Sequence, residues 1–447
     1  MASDVAHESL AVRGAASAAS GQGKTSPAFR RVVVASGLGI AIEHYDFFLY
    51  GFTAPIVFDA VFFPKLDVIW GLIAVYATFT IGFLARPLGG MVFGHYGDKI
   101  GRKKVLILTL LTMGVASVLI GCLPGYMSIG VLAPILLSLF RFVQGFAFGG
   151  EYMNAVSLTL ESAPPSRRGF FAGWVNASGP IGLVVASGLI WFLTYTYTKD
   201  DFTNWVWRVP FLFSFVIVAI GVYIRLTVDE SLLFQAARAE KKISKMPLLT
   251  VLQSWKKSTL LALLVNMVHS SFSFIVQIFV LGYAVRQYGT PQNAVTSGIM
   301  IANIVEIASM PIIARYSDRF GRRPFIIAGI VLMAIWFPID FQIIQHKDVV
   351  LIIIGLVISM GLCHGMLFGA EAAFTAELFP TEVRVSGSSL GKQLGVILGG
   401  GIAPLVATSL MGATGGNLLS VIIYFEAMAV LAFIAVLFAP ESYKKAL

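Results

Sequence analysis

Long apolar runs, separated by short polar gaps, occupy the chain from about residue 31 to residue 440. Crossing the hydrocarbon core of a bilayer takes roughly 20 consecutive apolar residues. Twelve stretches reach that length, at approximately 31–57, 68–93, 104–123, 129–160, 168–195, 206–228, 259–287, 292–314, 324–345, 349–377, 384–411 and 418–440. The pattern predicts an all-α membrane protein with twelve transmembrane helices. Residues 1–29 are rich in Ala, Ser and Gly and read as a disordered tail. The polar stretch 229–258 reads as a loop between an N-terminal six-helix bundle, 30–228, and a C-terminal one, 259–440; residues 441–447 form a second tail. The first apolar run follows Arg30 and Arg31 and is far longer than the apolar core of a signal peptide, so no cleavable signal is expected.

Composition agrees with that pattern. The 447 residues are 57% hydrophobic and only 12% charged, against about 25% charged in soluble domains. The net charge of +9 suggests a polyanion partner only until the charges are placed. Of 32 Lys and Arg, 24 fall in the termini and the even-to-odd connections; Lys65, Lys199, Arg208, Arg286 and Lys347 lie on the other side, and Arg86, Arg141 and Lys392 inside spans. This asymmetry follows the positive-inside rule and predicts cytoplasmic termini. It removes the case for nucleic acid. Cys122 and Cys363 lie within spans and offer neither a disulfide framework nor a metal set. No metal motif, phosphate loop or nucleophile–base set is present, so no metal, no cofactor and no enzyme activity is expected.

The polar gaps repeat. Gly94, Asp98, Gly101, Arg102, Lys103 and Lys104 return as Ala314, Asp318, Gly321, Arg322, Arg323 and Pro324, each 220 residues on. The same offset carries Gln144, Phe148, Gly149 and Glu151 onto His364, Phe368, Gly369 and Glu371. Glu161 and Arg168 stand seven apart, as do Glu377 and Arg384; eight residues past each arginine come Asn176 and Lys392. Such internal duplication of a membrane unit marks a transporter built from two pseudo-symmetric halves. A cluster of Lys and Arg would suffice for topology, so a repeated Asp argues for a latch. Asp98, Arg102, Asp318 and Arg322, with Glu161, Arg168, Glu377 and Arg384, are the candidate cytoplasmic gate, through charge-assisted bonds and helix capping.

A charge at mid-membrane costs roughly 2.5–3.5 kcal/mol on insertion scales, so each needs a partner or a water-filled cavity. Glu43, Asp46 and Tyr50 share a face of the first helix. Gln144, Phe148 and Glu151 form a stripe on the fourth; His364, Phe368, Glu371 and Thr375 do so on the tenth. On the seventh, Asn266, Ser270, Ser273 and Gln277 line up, with His269 beside them. Asp46, Glu151 and Glu371 are the proton-coupling candidates. Tyr50, Gln144, Phe148, Asn176, Asn266, His269, Ser273, Gln277, His364 and Lys392 are the substrate-binding candidates. Each has a plain alternative: the serines fit helix-to-helix bonding, the histidines fit satisfied structural imidazoles, and Lys392 fits an internal pair with Glu371 as well as a substrate carboxylate. Arg141 fits a gate or a packing charge, Glu306 and Glu426 show no evident partner, and the Gly387, Gly391, Gly395, Gly399 stripe fits helix packing.

The repeated cassette resembles the signature of the major facilitator superfamily, G-x-x-x-D-x-x-G-R-[KR]. The stretches Ile42–Gly51, Phe83–Gly90, Arg141–Gly145, Gly149–Glu151, Trp207–Phe211 and Ala376–Pro380 are similar to motifs of its metabolite:proton symporter family. The resemblance spans about 30–440 and implies a major facilitator fold. It further implies a proton-coupled importer of the bacterial inner membrane that works by alternating access, with protons, a small organic anion and the lipid bilayer as partners, and a functional monomer. Members carry small organic acids or zwitterionic osmolytes such as proline and betaine. Osmosensing members tend to carry a long C-terminal coiled coil, and this chain stops at Leu447 without heptads, which with Lys392 favours the organic acid. A drug:proton antiporter or a non-transporting nutrient receptor fits the motifs less well. Departures from the family pattern (His44, Tyr152, the neutral stripe of the seventh helix, Glu371, Lys392) cluster at the candidate binding surface.

Overall fold

A computed structural model describes residues 27–66, 68–227, 247–280, 283–284, 288–290 and 292–443. Twelve long helices make up most of it. In the first half, α1 runs Pro27–Thr53 and continues through the π turn Ala54–Phe58 to Asp59–Phe62. It is followed by α2 (Val68–Ile100), α3 (Arg102–Cys122), α4 (Leu132–Ser162), α5 (Arg168–Thr196) and α6 (Arg208–Leu226). In the second half, α7 (Lys256–Phe274) ends in the π turn Ile275–Phe279, and α8 is Gln292–Phe320 and α9 Arg322–Gln345. The tenth, α10, joins Val349–Leu356, the π-helical Val357–His364 and Gly365–Glu377. The eleventh, α11, joins Arg384–Val396, the π turn Ile397–Gly401 and Ala403–Ala413; α12 is Leu419–Leu437.

The twelve-helix, two-bundle fold expected from the pattern is the fold observed, with shifted ends. Helices α2 and α8 overrun their apolar runs, to Ile100 and Phe320, because the cassette charges are bonded rather than solvated. Helix α1 starts at Pro27, inside the expected tail 1–29; residues 1–26 lie outside the described ones. Of the expected loop 229–258, residues 229–246 also lie outside them. The rest is helical: Pro247–Ser254 buries Val251, and α7 starts at Lys256.

Two glycines set the corners. Gly101 stands at φ 109°, ψ 152° between α2 and α3, and Gly321 at φ 103°, ψ 161° between α8 and α9. This region of backbone space is essentially closed to residues with a Cβ. It lets each long helix stop and the next start one residue later.

Each half packs its own core. Tyr45, Phe58, Phe62, Trp207 and Phe211 anchor one cluster in the first half; Phe272, Phe337, Phe341 and Phe425 anchor the second. Outer faces expose Leu84, Phe215, Ile335 and Val430, as contact with lipid tails allows. Where helices cross closely, glycine makes the room. A Cβ on Gly145 or Gly149 of α4 would overlap the α2 carbonyls of Gly82 and Arg86. On α11, Gly391, Gly395 and Gly399 lie against α7, where a Cβ would overlap Ala262, Leu263 and Met267. The glycine stripe is a packing surface. Between the halves, α2 lies along α11 and α5 along α8.

Gly101→Ala and Gly321→Ala are each expected to destabilise by about 1–3 kcal/mol, the cost of holding a non-glycine there. Thermal unfolding in detergent checks this. Gly188→Ala, with open space around its position, serves as the control and should not lower the melting temperature.

Candidate functional site

Two layers of polar residues join the halves: one at the face carrying the cassettes, one at mid-membrane. At the cassette face, Asp98 of α2 accepts hydrogen bonds from the main-chain N–H groups of Val385 (3.2 Å) and Ser386 (2.8 Å), the first turn of α11. Asp318 of α8 does the same for Gly169 (2.7 Å) and Phe170 (2.8 Å), the first turn of α5. Each aspartate thus caps a helix of the opposite half. An N-terminal turn leaves unpaired N–H groups and partial positive charge, which a carboxylate satisfies. Within each cassette the Asp also pairs with its Arg, Asp98 with Arg102 at 3.2 Å and Asp318 with Arg322 at 2.8 Å.

The arginines extend the layer. Arg102 reaches Glu161 at the end of α4 (3.2 Å) and the Thr381 carbonyl of the other half (3.0 Å). Arg322 makes the matching bond to Glu377 of α10 (3.1 Å). Glu161 pairs across the halves with Arg384 at 2.8 Å. Arg168 opens α5 beside this network. Lys103 donates to the Leu226 carbonyl at the end of α6, and Arg323 to the Leu437 carbonyl at the end of α12. The C-terminal segment, expected as a plain tail over 441–447, is partly structural: Glu441 accepts from the Arg322 and Arg323 main-chain amides, capping α9, and Ser442 bonds Glu377. Residues 444–447 lie outside the described ones.

At mid-membrane, Lys392 of α11 is 6% exposed. It donates to Glu371 of α10 (3.2 Å) and Asn266 of α7 (3.1 Å), and its Nζ lies 3.9 Å from the centre of the Tyr152 ring on α4 of the other half. Thr375 donates to Glu371 at 2.7 Å. Asn176, the counterpart of Lys392 on α5, also crosses: its amide donates to the Phe368 carbonyl of α10 (2.6 Å), while Tyr152 donates to its oxygen. The structure therefore brings together Asn176, Asn266, Glu371 and Lys392, and adds Tyr152. In this state Lys392 holds Glu371, the internal pair that was one of the two alternatives open to it from sequence.

The histidines sit beside this group. His44 of α1 lies 5.3 Å from the Phe148 ring, and His269 of α7 stacks at 4.3 Å on Phe368. His44 is tied to the Ile40 carbonyl of its own helix (2.9 Å). His269 instead meets His364 (Nδ1 to Nε2, 2.7 Å), whose other nitrogen meets Glu306. Glu306, for which the sequence showed no partner, has one on α10.

Four candidates turn into the first half instead. Asp46 accepts from Ser214 of α6 (2.6 Å). Tyr50 bonds Thr78. Gln144 lies between Ser117 (2.7 Å) and Arg141 (3.0 Å). Glu151 pairs with Arg225 of α6 and accepts from Thr109 (2.7 Å). Ser273 and Gln277 bond each other (2.7 Å), and Gln277 accepts from Asn303 of α8 (3.3 Å). Arg86 and Arg141 lie over phenyl rings: Arg86 is 3.9 Å from Phe148, and Arg141 is 4.2 Å from Tyr50.

Arg225 requires a correction. Counted above among the cytoplasmic loop cations, it is buried inside the bundle. Its long side chain reaches back from the last turn of α6 to Glu151, through the gap left by Gly39, where a Cβ would overlap both. Removing one partner of such a pair strands a buried charge, at about 3–5 kcal/mol. Arg225→Met is therefore expected to lower thermal stability markedly. The double variant Glu151→Gln/Arg225→Met should recover most of the loss; equal melting temperatures for the single and double variants would refute the pairing.

Two family models match the chain. Residues 32–251 match the family model described as Sugar (and other) transporter, and residues 261–447 that of the Major Facilitator Superfamily. The chain is 37% identical to the Inner membrane metabolite transport protein YhjE of Escherichia coli over 422 residues, covering 93% of this chain and 95% of the relative. It is 34% identical to the Shikimate transporter of the same organism, again covering 93% and 95%. Among solved structures, the proton:xylose symporter XylE bound to 6-bromo-6-deoxy-D-glucose superposes with a TM-score of 0.76 at 18% identity, over 94% of this chain and 97% of that one; this likeness speaks for the fold. A twelve-helix pair of bundles, joined by reciprocal cassettes and matched over more than nine-tenths of its length by such relatives, is a membrane transporter rather than an enzyme, and the chain belongs to the major facilitator superfamily.

Proposed function

We propose that this protein is a proton-coupled symporter that imports a small organic acid across the bacterial inner membrane by alternating access, with both termini cytoplasmic. The observation that carries this reading is Lys392. It is a buried cation, bridged to Glu371 and Asn266 in one half and lying over Tyr152 of the other. A substrate carboxylate arriving there competes with Glu371 for the ammonium. A proton on Glu371 ends that competition, because a neutral carboxyl no longer balances the charge. Proton and anion then enter together, and neither Lys392 nor the substrate is left as an unpaired buried charge. Where more protons than substrate charges enter, each net charge adds electrical work of about 2.3 kcal/mol per 100 mV.

The cassette layer supplies the gate. With Asp98 and Asp318 capping α11 and α5, the cytoplasmic ends of the halves are held together. Importing substrate requires those four main-chain bonds to open. Hydrogen bonds to a charged acceptor contribute about 1.5–3 kcal/mol each, so the layer is strong enough to define a state and weak enough to exchange it.

Purified protein screened by thermal shift against shikimate, succinate, citrate and betaine tests the substrate class, since a ligand at about 100 times its Kd stabilises by about 2.7 kcal/mol. An acid is expected to stabilise; betaine acting alone would overturn the class. The stabilising acid should accumulate in proteoliposomes under an imposed inward proton gradient, and uptake indifferent to the gradient would refute symport. Lys392→Gln is expected to weaken binding at least about tenfold, a loss of about 1.4 kcal/mol. Asp98→Asn should alter the uptake rate at equal protein per vesicle; an unchanged rate rules out the latch.

A further inference from the structure

The 220-residue offset that relates the cassettes also relates Arg86 to Glu306, on α2 and α8, and Gln144 to His364, on α4 and α10. The first half therefore carries Arg and Gln where the second carries Glu and His. In the second half these two side chains touch each other and a third. Glu306 contacts His364 Nδ1, and His364 Nε2 lies 2.7 Å from His269 Nδ1. The chain crosses three helices. Glu306 and His364 are almost wholly buried; His269, at 8% exposure, is the member nearest to opening.

Proton counting fixes what such a chain can do. A neutral imidazole has one N–H donor and one acceptor nitrogen. With Glu306 ionised, His364 donates to it from Nδ1 and accepts at Nε2 from His269 Nδ1–H. His269 Nε2 then holds a free lone pair. A proton added at that nitrogen lets each bonded proton pass one place along, and Glu306 ends as a neutral acid donating to His364. Both imidazoles stay neutral, having exchanged tautomers. The chain gains one proton and its charge goes from −1 to zero, with only N–H and O–H bonds made and broken.

The surroundings leave this chain as a self-contained unit. On α11, Lys392 lies against the Phe368 ring on which His269 stacks, and is itself bonded to Glu371 of α10. On α9, Asp340 is taken up by Ser359 and Trp336. On α12, half-buried Glu426 lies one residue from Phe425. Phenyl rings close the rest: Phe368 stacks on His269, and Phe272 lies 6.2 Å from His364 and 5.5 Å from Phe425 of α12. In the first half the equivalent places hold an arginine among phenyl rings and a glutamine bonded to Ser117, and neither Arg nor Gln changes charge near neutral pH.

We propose that His269, His364 and Glu306 form a second proton site, separate from Glu371, in which Glu306 stores the proton and the two imidazoles load it from the interface between the halves. This rests on the reading of the protein as a proton-coupled importer. It deepens that reading by giving the second half a proton in addition to the one exchanged at Lys392.

Infrared difference spectra of the purified protein in lipid, between about pH 8 and about pH 5, test the site without any substrate. The wild type is expected to gain a protonated-carboxyl band that disappears in Glu306→Gln and changes its midpoint in His269→Gln. A band unaltered by both substitutions, or no band in the wild type, overturns the proposal. Shikimate is the probe in vesicles. One coupled proton fewer in Glu306→Gln should lower its accumulation about tenfold per pH unit of imposed gradient, since one unit is 1.36 kcal/mol per proton, while shikimate exchange at equal pH persists. Equal accumulation by variant and wild type also overturns it. Wild-type uptake that ignores the gradient counts against the symport reading alone, and the infrared band then decides the proton site by itself.

Discussion

The structure depends on a reciprocal exchange of helix caps. A helix that begins inside a membrane protein exposes N–H groups that lipid cannot satisfy. Here α5 and α11 have no side-chain cap of their own at their first residues. They borrow one, α11 from Asp98 and α5 from Asp318, each on the opposite half. Neither half is complete at this face without the other. The positions of α2 against α11 and of α5 against α8 follow from this exchange, and so does the approach of Lys392 and Asn176 to the opposite bundle at mid-membrane.

Symmetry at the cassettes gives way to asymmetry at the centre. Asp, Arg and the following basic residue keep matching roles in both halves, down to the carbonyls of Leu226 and Leu437 that Lys103 and Arg323 cap. Deeper in, Glu151 and Glu371 hold equivalent places but different cations, Arg225 of α6 for one and Lys392 of α11 for the other. The first pair stays inside its own bundle, while the second faces the interface. A fixed scaffold with divergent inner residues lets one fold bind different cargoes.

How much of this was legible in the sequence depended on the range of the interaction. Twelve spans, two halves and the cassettes follow from local pattern and from repetition, and all were readable. Capping by Asp98 and Asp318 was expected, but which helices they cap, α11 and α5 of the opposite halves, was not legible, because no residue type announces a main-chain amide. Arg225 looked like a loop cation because it stands one residue before the end of α6, and only the depth of Glu151 shows where its side chain turns. Glu306 looked unpartnered because His364 is 58 residues away on another helix. The offset of 220, applied to Arg86 and Gln144, points to both members of that pair. Asp46 and Tyr50 share a helical face, as expected, but the face meets α6 and α2 rather than the other half.

The caps at Asp98 and Asp318 bear on how this contact between the halves can vary. Their donors are the backbone amides of residues 169, 170, 385 and 386, present whatever side chains stand there. Proline would remove the N–H, and at Gly169 a Cβ would crowd Arg322 and Asp318; other changes at residues 170, 385 and 386 keep the donor. Inherited variation can therefore alter this contact from its acidic side, while most of the other side is supplied by the polypeptide itself.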